Sequence, residues 1–260
     1  MVYKAQSGHP GGSLSCIDIL VGLYRSAMRF DPKNPGWEDR DRFVMSKGHA
    51  SPAVYSILRD VGVLEDSDLD GFRSLGSVCQ GHVDRKWTEG VDFSAGSLGM
   101  GLSFGLGSAL AARLDVSERH TWVLLGDGEI QEGQIWEALQ VSVYYKLDNL
   151  WAIVDVNEQQ VDGAMSDVLD IGNIQKKINS FGAKCIEIDG HDIEAMRQAK
   201  KEKHKDQPLI ILARTSPYKG MEYLKKRFPR LHYVRFKSEE ERNKMNIEIS
   251  KELGIEPIEY

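Results

Sequence analysis

Cysteine is scarce, with three residues in 260, Cys16, Cys79 and Cys185, far apart along the chain. So sparse and odd a set excludes a disulfide framework or a cysteine-built zinc site as the organising principle, and it makes a reducing, cytoplasmic setting the expectation. No apolar run approaches the length that crosses a bilayer, and residues 1–10 lack the basic-then-apolar profile of a secretion signal. Positive charge is in deficit. The 33 Lys and Arg stand against 39 Asp and Glu, for a formal net charge of −6. An overall field that draws in nucleic acid or anionic lipid is therefore excluded, so the expected partners include neither nucleic acid nor membrane. Internal repeats and low-complexity tracts are absent too. What remains is ordinary globular material, 41% hydrophobic and 28% charged, of a length that suits one large domain over 1–260.

Glycine is what the chain has in quantity, with 25 copies clustered at 8–12, 96–107 and 126–133. Glycine clusters that follow strands suggest loops in which backbone closely approaches a ligand. The periodicity predicts a helix over 15–28, from Ile17, Leu20, Val21 and Tyr24, with Ser15 and Asp18 spaced as a capping box. A second helix is expected over 100–113, where Gly101, Gly105, Gly107 and Ala111 form a small-residue face. A β/α alternation then begins. Short apolar runs at 121–125, 150–154 and 209–212 read as buried strands, and 185–188 reads as a further strand. Helices are expected between them, carried by Ile135, Trp136, Leu139 and Val143, by Ile174, Ile178 and Phe181 with Gly182 at a C′ position, and over 192–203. Beyond about 216 comes a charged surface excursion. Met245, Ile249 and Leu253, spaced by four, mark a final helix. The expected fold class is α/β, a mostly parallel sheet with helices on both faces.

In such sheets ligands bind beyond the carboxyl ends of the strands. Asp127 of Gly126-Asp127-Gly128-Glu129 follows one predicted strand, and Asn157 follows the next. A hard divalent cation such as Mg²⁺ takes oxygen ligands, only one or two of them from protein side chains when phosphates supply others. Asp127 offers a carboxylate, Asn157 an amide oxygen, and the loop beyond it a backbone carbonyl. Gly128 lets an N–H approach a phosphate where the next helix begins. A lone Gly-Asp-Gly is most often a turn. A second oxygen-bearing loop at the neighbouring strand end shifts the reading to a site.

The Gly126-Asp127-Gly128 run with Asn157 about thirty residues later resembles the thiamine-diphosphate motif. Ser7-Gly8-His9-Pro10-Gly11-Gly12, Asp41–Ser51 with its Ser46-Lys47-Gly48-His49 core, and Gly81-His82 with Gly96-Ser97-Leu98-Gly99 narrow the resemblance to transketolase, from the first residues to about 215. The resemblance implies a three-layer thiamine-diphosphate-binding fold. It implies that Asp127, Asn157 and the carbonyl of Gln159 hold Mg²⁺ (or Ca²⁺ or Mn²⁺), with Gly128 at the diphosphate. It also implies that Val161 packs against the cofactor rings and that Gly96, Ser97 and Leu98 present main chain to the aminopyrimidine. Glu132 matches a glutamate near the contact of the two cofactor-binding halves.

His9 and His82 are implied to contact substrate oxygens, and His49 to lie near cofactor and donor, with His232 as a fourth active-site histidine. Imidazole suits this work because it titrates near neutrality and can both give and take a proton. His120, His191 and His204 lack such contexts and read as surface or capping residues. The implied reaction is transfer of a two-carbon ketol unit from a ketose to an aldose, with sugars or sugar phosphates as substrates. Transketolases carry a second, pyrimidine-binding domain whose glutamate activates the cofactor, and no segment here can supply it. The chain thus resembles the N-terminal subunit of a split transketolase, with a C-terminal partner subunit in an α2β2 assembly. A leading helix of the family is also expected to be missing. The competing readings are a thiamine-dependent 2-oxo acid decarboxylating subunit, against which the three Gly-His contexts weigh, and a degenerate non-catalytic partner, against which the retained Asp127 and Asn157 weigh.

Overall fold

A computed structural model describes residues 1–228 and 231–257. Its centre is a five-stranded sheet in the order Arg42–Met45, Thr121–Gly126, Leu150–Val156, Leu209–Arg214, Lys184–Asp189, every adjacent pair parallel. The four strands read from the sequence are there. The fifth, Arg42–Met45, is short and begins on a charge, so it carried no strand signal.

Side-chain alternation divides the core. Trp122, Leu124, Trp151, Ile153, Leu209 and Ile211 point to one face, where they meet the helices Pro10–Gly22, Ser51–Val61 and Ile193–Ala199. Val123, Leu125, Ala152, Val154, Ile210 and Leu212 point to the other, under Met100–Leu114, Gly133–Tyr144 and Ile174–Ser180. Trp122 and Trp151 meet edge to face at 4.2 Å.

Several expectations are corrected by packing. The first helix starts at Pro10, not 15, with Pro at its first turn, and closes in a π-helical turn over Leu23–Ala27. Ser15 is therefore no cap. It is fully buried inside the helix. The first helix takes in Gly11 and Gly12 of the glycine cluster at 8–12, and position 11 needs glycine because a Cβ there would meet the Leu231 carbonyl at 2.7 Å. The small-residue face of Met100–Leu114 splits in two. Gly101 and Gly105 press on Ser46 and Val123, whereas Gly107 and Ala111 are exposed. Gly182 does take the C′ position, with φ +96°. The helix expected over 192–203 stops at Ala199, because the lysine-rich run beyond has no apolar face to bury.

Beyond 216 the charges do lie outside, but the segment also closes a small core of Leu224, Leu231, Val234, Phe236 and Met245. Its final helix is Glu239–Leu253, capped by the Ser238 side chain. Val234–Arg235 pairs antiparallel with Ser7–Gly8. This pairing carries residues 231–233 back over the start of the chain. No helix among the described residues is long and apolar enough to cross a membrane.

Candidate active site

The strands Thr121–Gly126 and Leu150–Val156 end side by side, with Gly126 opposite Asp155. The chain leaves each strand end into a loop, so Asp127 and Asn157 converge above the sheet. Asp127 Oδ1 accepts the Gly128 N–H at 2.9 Å, and its Oδ2 accepts the Glu158 N–H at 2.6 Å. Asn157 Oδ1 accepts the Gln159 N–H at 3.0 Å. Asp127, Asn157 and Gln159 are buried at 2%, 8% and 6% exposure. With Gly128, Leu98, His49, His232 and Val161 they line one cavity of about 200 Å³. Val161 is 64% exposed, an apolar side chain presented to the cavity rather than to a core.

Four histidines gather at this cavity. His9 lies 5.1 Å from His49, 5.9 Å from His82 and 5.3 Å from His232, centroid to centroid, and His49 lies 4.7 Å from His232. Three come from separate loops of the first ninety residues. His232 arrives on the returning C-terminal segment. Burial pushes His9 down to about 3, helped by His232 and His82, and His232 down to about 4, helped by Lys47. Burial and the Lys47 charge hold His49 well below the ordinary imidazole range, and burial with Arg73 lowers His82. The cluster is therefore neutral at neutral pH, each ring having one N–H and one lone pair.

Gly96 and Ser97 are exposed on the approach to the helix Met100–Leu114, outside the cavity lining, and only Leu98 of that run reaches it. Glu132 is exposed at the N-cap of Gly133–Tyr144, also outside the lining. His191 is not a surface residue. Its side chain is 7% exposed, with Nδ1 2.8 Å from Asp18 Oδ2 and Nε2 accepting the Ser216 N–H at 2.8 Å. His120 lies against Trp151, and His204 closes a turn on the Gln207 carbonyl.

Residues given no role by the sequence reading form the floor. Asp155, fully buried, accepts from Lys47 Nζ, from Ser15 Oγ at 2.5 Å, from Asn157 Nδ2 at 3.0 Å and from Thr215 Oγ1. Burial opposes the Lys47 charge, but the attraction of Asp155 outweighs it and raises the ammonium above its ordinary range. Burial, then the Asp155 charge, pushes Asp127 up to about 7. Glu129 is buried as well. It ties Ser46 Oγ, the Gly99 N–H at 2.8 Å and the Gly126 N–H at 3.1 Å into one knot. The available signal was a carboxylate at 155 in a strand otherwise wholly apolar.

This is an α/β protein with a cavity at the carboxyl edge of a parallel sheet, equipped with buried oxygen donors and neutral imidazoles. The comparisons make the class specific. Residues 1–227 match the family described as transketolase, thiamine diphosphate binding domain. The chain is 40% identical over 224 residues to the 6-deoxy-6-sulfo-D-fructose transketolase subunit SqwG of Clostridium sp. (strain MSTE9), covering 85% of this chain and 81% of that one. It is 38% identical over 226 residues to an apulose-4-phosphate transketolase subunit of Phocaeicola vulgatus, covering 86% and 80%. The solved transketolase of Campylobacter jejuni superposes with a TM-score of 0.85 at 32% identity, over 99% of this chain but 41% of its own. The chain belongs to the transketolase family, as its thiamine-diphosphate-binding domain, and spans about two fifths of that solved chain.

Proposed function

We propose that this chain is the diphosphate-binding subunit of a split transketolase and that, with a pyrimidine-binding partner chain, it moves a two-carbon ketol unit from a ketose to an aldose. The observation that carries the reading is one cavity, lined by Asp127, Asn157, His49 and His232, against which His9 and His82 also stack. The subunit names of the two relatives, each covered over about four fifths of its length, support a two-chain arrangement.

The donor set fits a diphosphate-bound Mg²⁺. Asp127 and Asn157 offer hard oxygen atoms, and the Gln159 carbonyl is the third protein ligand in this reading. Among the described residues no group of three His, Cys, Asp or Glu side chains is placed to hold a metal ion, so further ligands come from phosphate and water. Gly128, at the start of the Glu129–Gln131 turn, lines the cavity, and its lack of a side chain lets backbone come close to the diphosphate. Leu98 and Val161 hold the rings. Thiamine diphosphate, when bound, supplies the carbanion chemistry of the reaction. The chain's own task is proton management around it. Neutral His9 and His82 accept a hydroxyl proton from the donor and return one to the acceptor's carbonyl oxygen, while His49 and His232 orient the oxygens nearest the cofactor. A cluster of neutral rings serves both directions, as a reversible transfer requires. The partner is assigned the glutamate that activates the pyrimidine ring, and the assembly is α2β2.

Turnover measured with the partner subunit, thiamine diphosphate and Mg²⁺ tests this. A ketose donor should be consumed and pyruvate should not. Pyruvate decarboxylation without ketol transfer would move the chain to the 2-oxo acid class, and cofactor binding that is unchanged in Asn157→Ala would remove the metal assignment.

A further inference from the structure

Asp155 precedes Asn157 by two residues at the end of one strand, so both side chains lie on the same side. An asparagine amide is two-faced. Only its oxygen can bind a cation, and a 180° turn presents an NH₂ group instead. Asn157 is held between two neighbours that dictate which way it faces. The Gln159 N–H can only donate, and it meets Oδ1 at 3.0 Å. The Asp155 carboxylate, engaged by Lys47, Ser15 and Thr215, can only accept, and it meets Nδ2 at 3.0 Å. Ser15 Oγ, at 3.3 Å from Nδ2, is spent on Asp155 and adds a second acceptor on the same side. Lys47 reaches Asp155 from across the cavity floor and is 2% exposed, so it offsets the carboxylate's charge. The pair therefore adds an acceptor to the site without adding net charge beneath a diphosphate.

Resting on the metal reading above, we infer that Asp155, with Lys47, is a positioning residue: it locks the Asn157 amide with its oxygen toward the cation and thereby sets the affinity of the metal–diphosphate pair. Lys47 also lines the cavity, whereas Asp155 is fully buried outside its lining, and the positioning role needs neither to touch the ligand.

The test is a sign reversal, read by calorimetry of thiamine diphosphate with Mg²⁺ binding to the full chain, with thermal melting as the check on folding. In the natural background, Asn157→Asp sets a second carboxylate against Asp155 and lowers affinity. In the paired variant Lys47→Met with Asp155→Leu, no charge is orphaned but the acceptor side of the lock is gone, and affinity falls about tenfold, the equivalent of one hydrogen bond to a charged group. Adding Asn157→Asp to that pair supplies an oxygen whichever way the group turns, so affinity recovers. If the paired variant does not fold, Lys47→Met with Asp155→Asn serves in its place, because the new amide can turn either way and Asn157→Asp beside it is tolerated. Unchanged affinity on losing the lock, or Asn157→Asp lowering affinity in both backgrounds, would overturn the inference while the metal reading stands. Absence of Mg²⁺-dependent binding by the unmodified chain would overturn the metal reading itself.

Discussion

Gly101 and Gly107 lie on one helix, Met100–Leu114, and substituting each with alanine should have opposite effects. At Gly101 a Cβ would sit 2.9 Å from Ser46 Cα and closer still to its Cβ and Oγ. Ser46 cannot retreat. It is 1% exposed, its N–H donates to the Leu124 carbonyl at 2.9 Å, its carbonyl accepts the Gly48 N–H at 2.8 Å, and its hydroxyl is tied to Glu129. Helix or strand must therefore shift, and overpacking of this kind costs about 1–3 kcal/mol. Only part of that is offset by alanine's helical preference over glycine, about 1 kcal/mol in a helix interior and less near its start. At Gly107 a Cβ meets nothing within 4 Å, and the site is exposed, so Gly107→Ala should stabilise by about 0.5–1 kcal/mol. The two substitutions should thus differ by roughly 1–3 kcal/mol, or several degrees in Tm for a chain of this size. Urea and thermal unfolding of the two variants would measure it. Since Lys47 and His49 follow Ser46, Gly101→Ala should also weaken thiamine diphosphate binding. Equal stabilities for the two variants would refute the claim that glycine at 101 exists for close approach to the Ser46 turn.

Asp127, pushed up to about 7, is largely protonated below that pH in the free chain, whereas cation binding needs the carboxylate. Binding of Mg²⁺ with thiamine diphosphate at pH 6 should release close to one proton from it, with affinity falling up to about tenfold per pH unit below 7. A binding heat at pH 6 that does not depend on the buffer's ionisation enthalpy would contradict this. His9 and His232, lowered by burial to about 3 and about 4, refuse protons that the unfolded chain accepts near pH 6.5. Stability should therefore fall as pH drops from 6.5 toward 4, by roughly 1 kcal/mol per pH unit for the pair after allowance for solvent screening. Urea midpoints at pH 7 and pH 5 should differ less in the His9→Asn/His232→Asn variant than in the parent, and an equal difference would remove these rings as the cause. Glu129→Ala orphans the Ser46 hydroxyl and the N–H groups of Gly99 and Gly126, so it should destabilise by about 3 kcal/mol or more. Glu129→Gln should also destabilise, because its NH₂ must turn toward a hydrogen-bond donor. Unfolding curves for both variants would show it.

Much of the architecture was legible because burial writes itself into periodicity. The apolar runs ending at Leu125, Val154 and Leu212 are strands because a parallel sheet covered on both faces tolerates almost nothing else, whereas the half-exposed Lys184–Asp189 closes an edge. Their positions put Asp127 and Asn157 just past the carboxyl ends of two strands. The order of the histidine motifs, with Gly-Asp-Gly and the distant asparagine, was enough to suggest the family, whose matching region ends at residue 227.

Chain order alone could not reveal what depends on approach between segments far apart. Gly11 can carry no side chain because the Leu231 carbonyl, far along the chain, occupies the place of a Cβ. His191 read as a surface or capping residue and is clamped between Asp18 and Ser216. His232 joins His9 only because Val234–Arg235 pairs with Ser7–Gly8. Lys47 and Asp155, 108 residues apart, form an ion pair because neighbouring elements meet beneath one cavity. Local sequence dictates which residues want to be buried and with what period, since those preferences act over a few residues. Which buried charges find each other, and which way an amide oxygen faces, was decided only when the helices closed on the sheet.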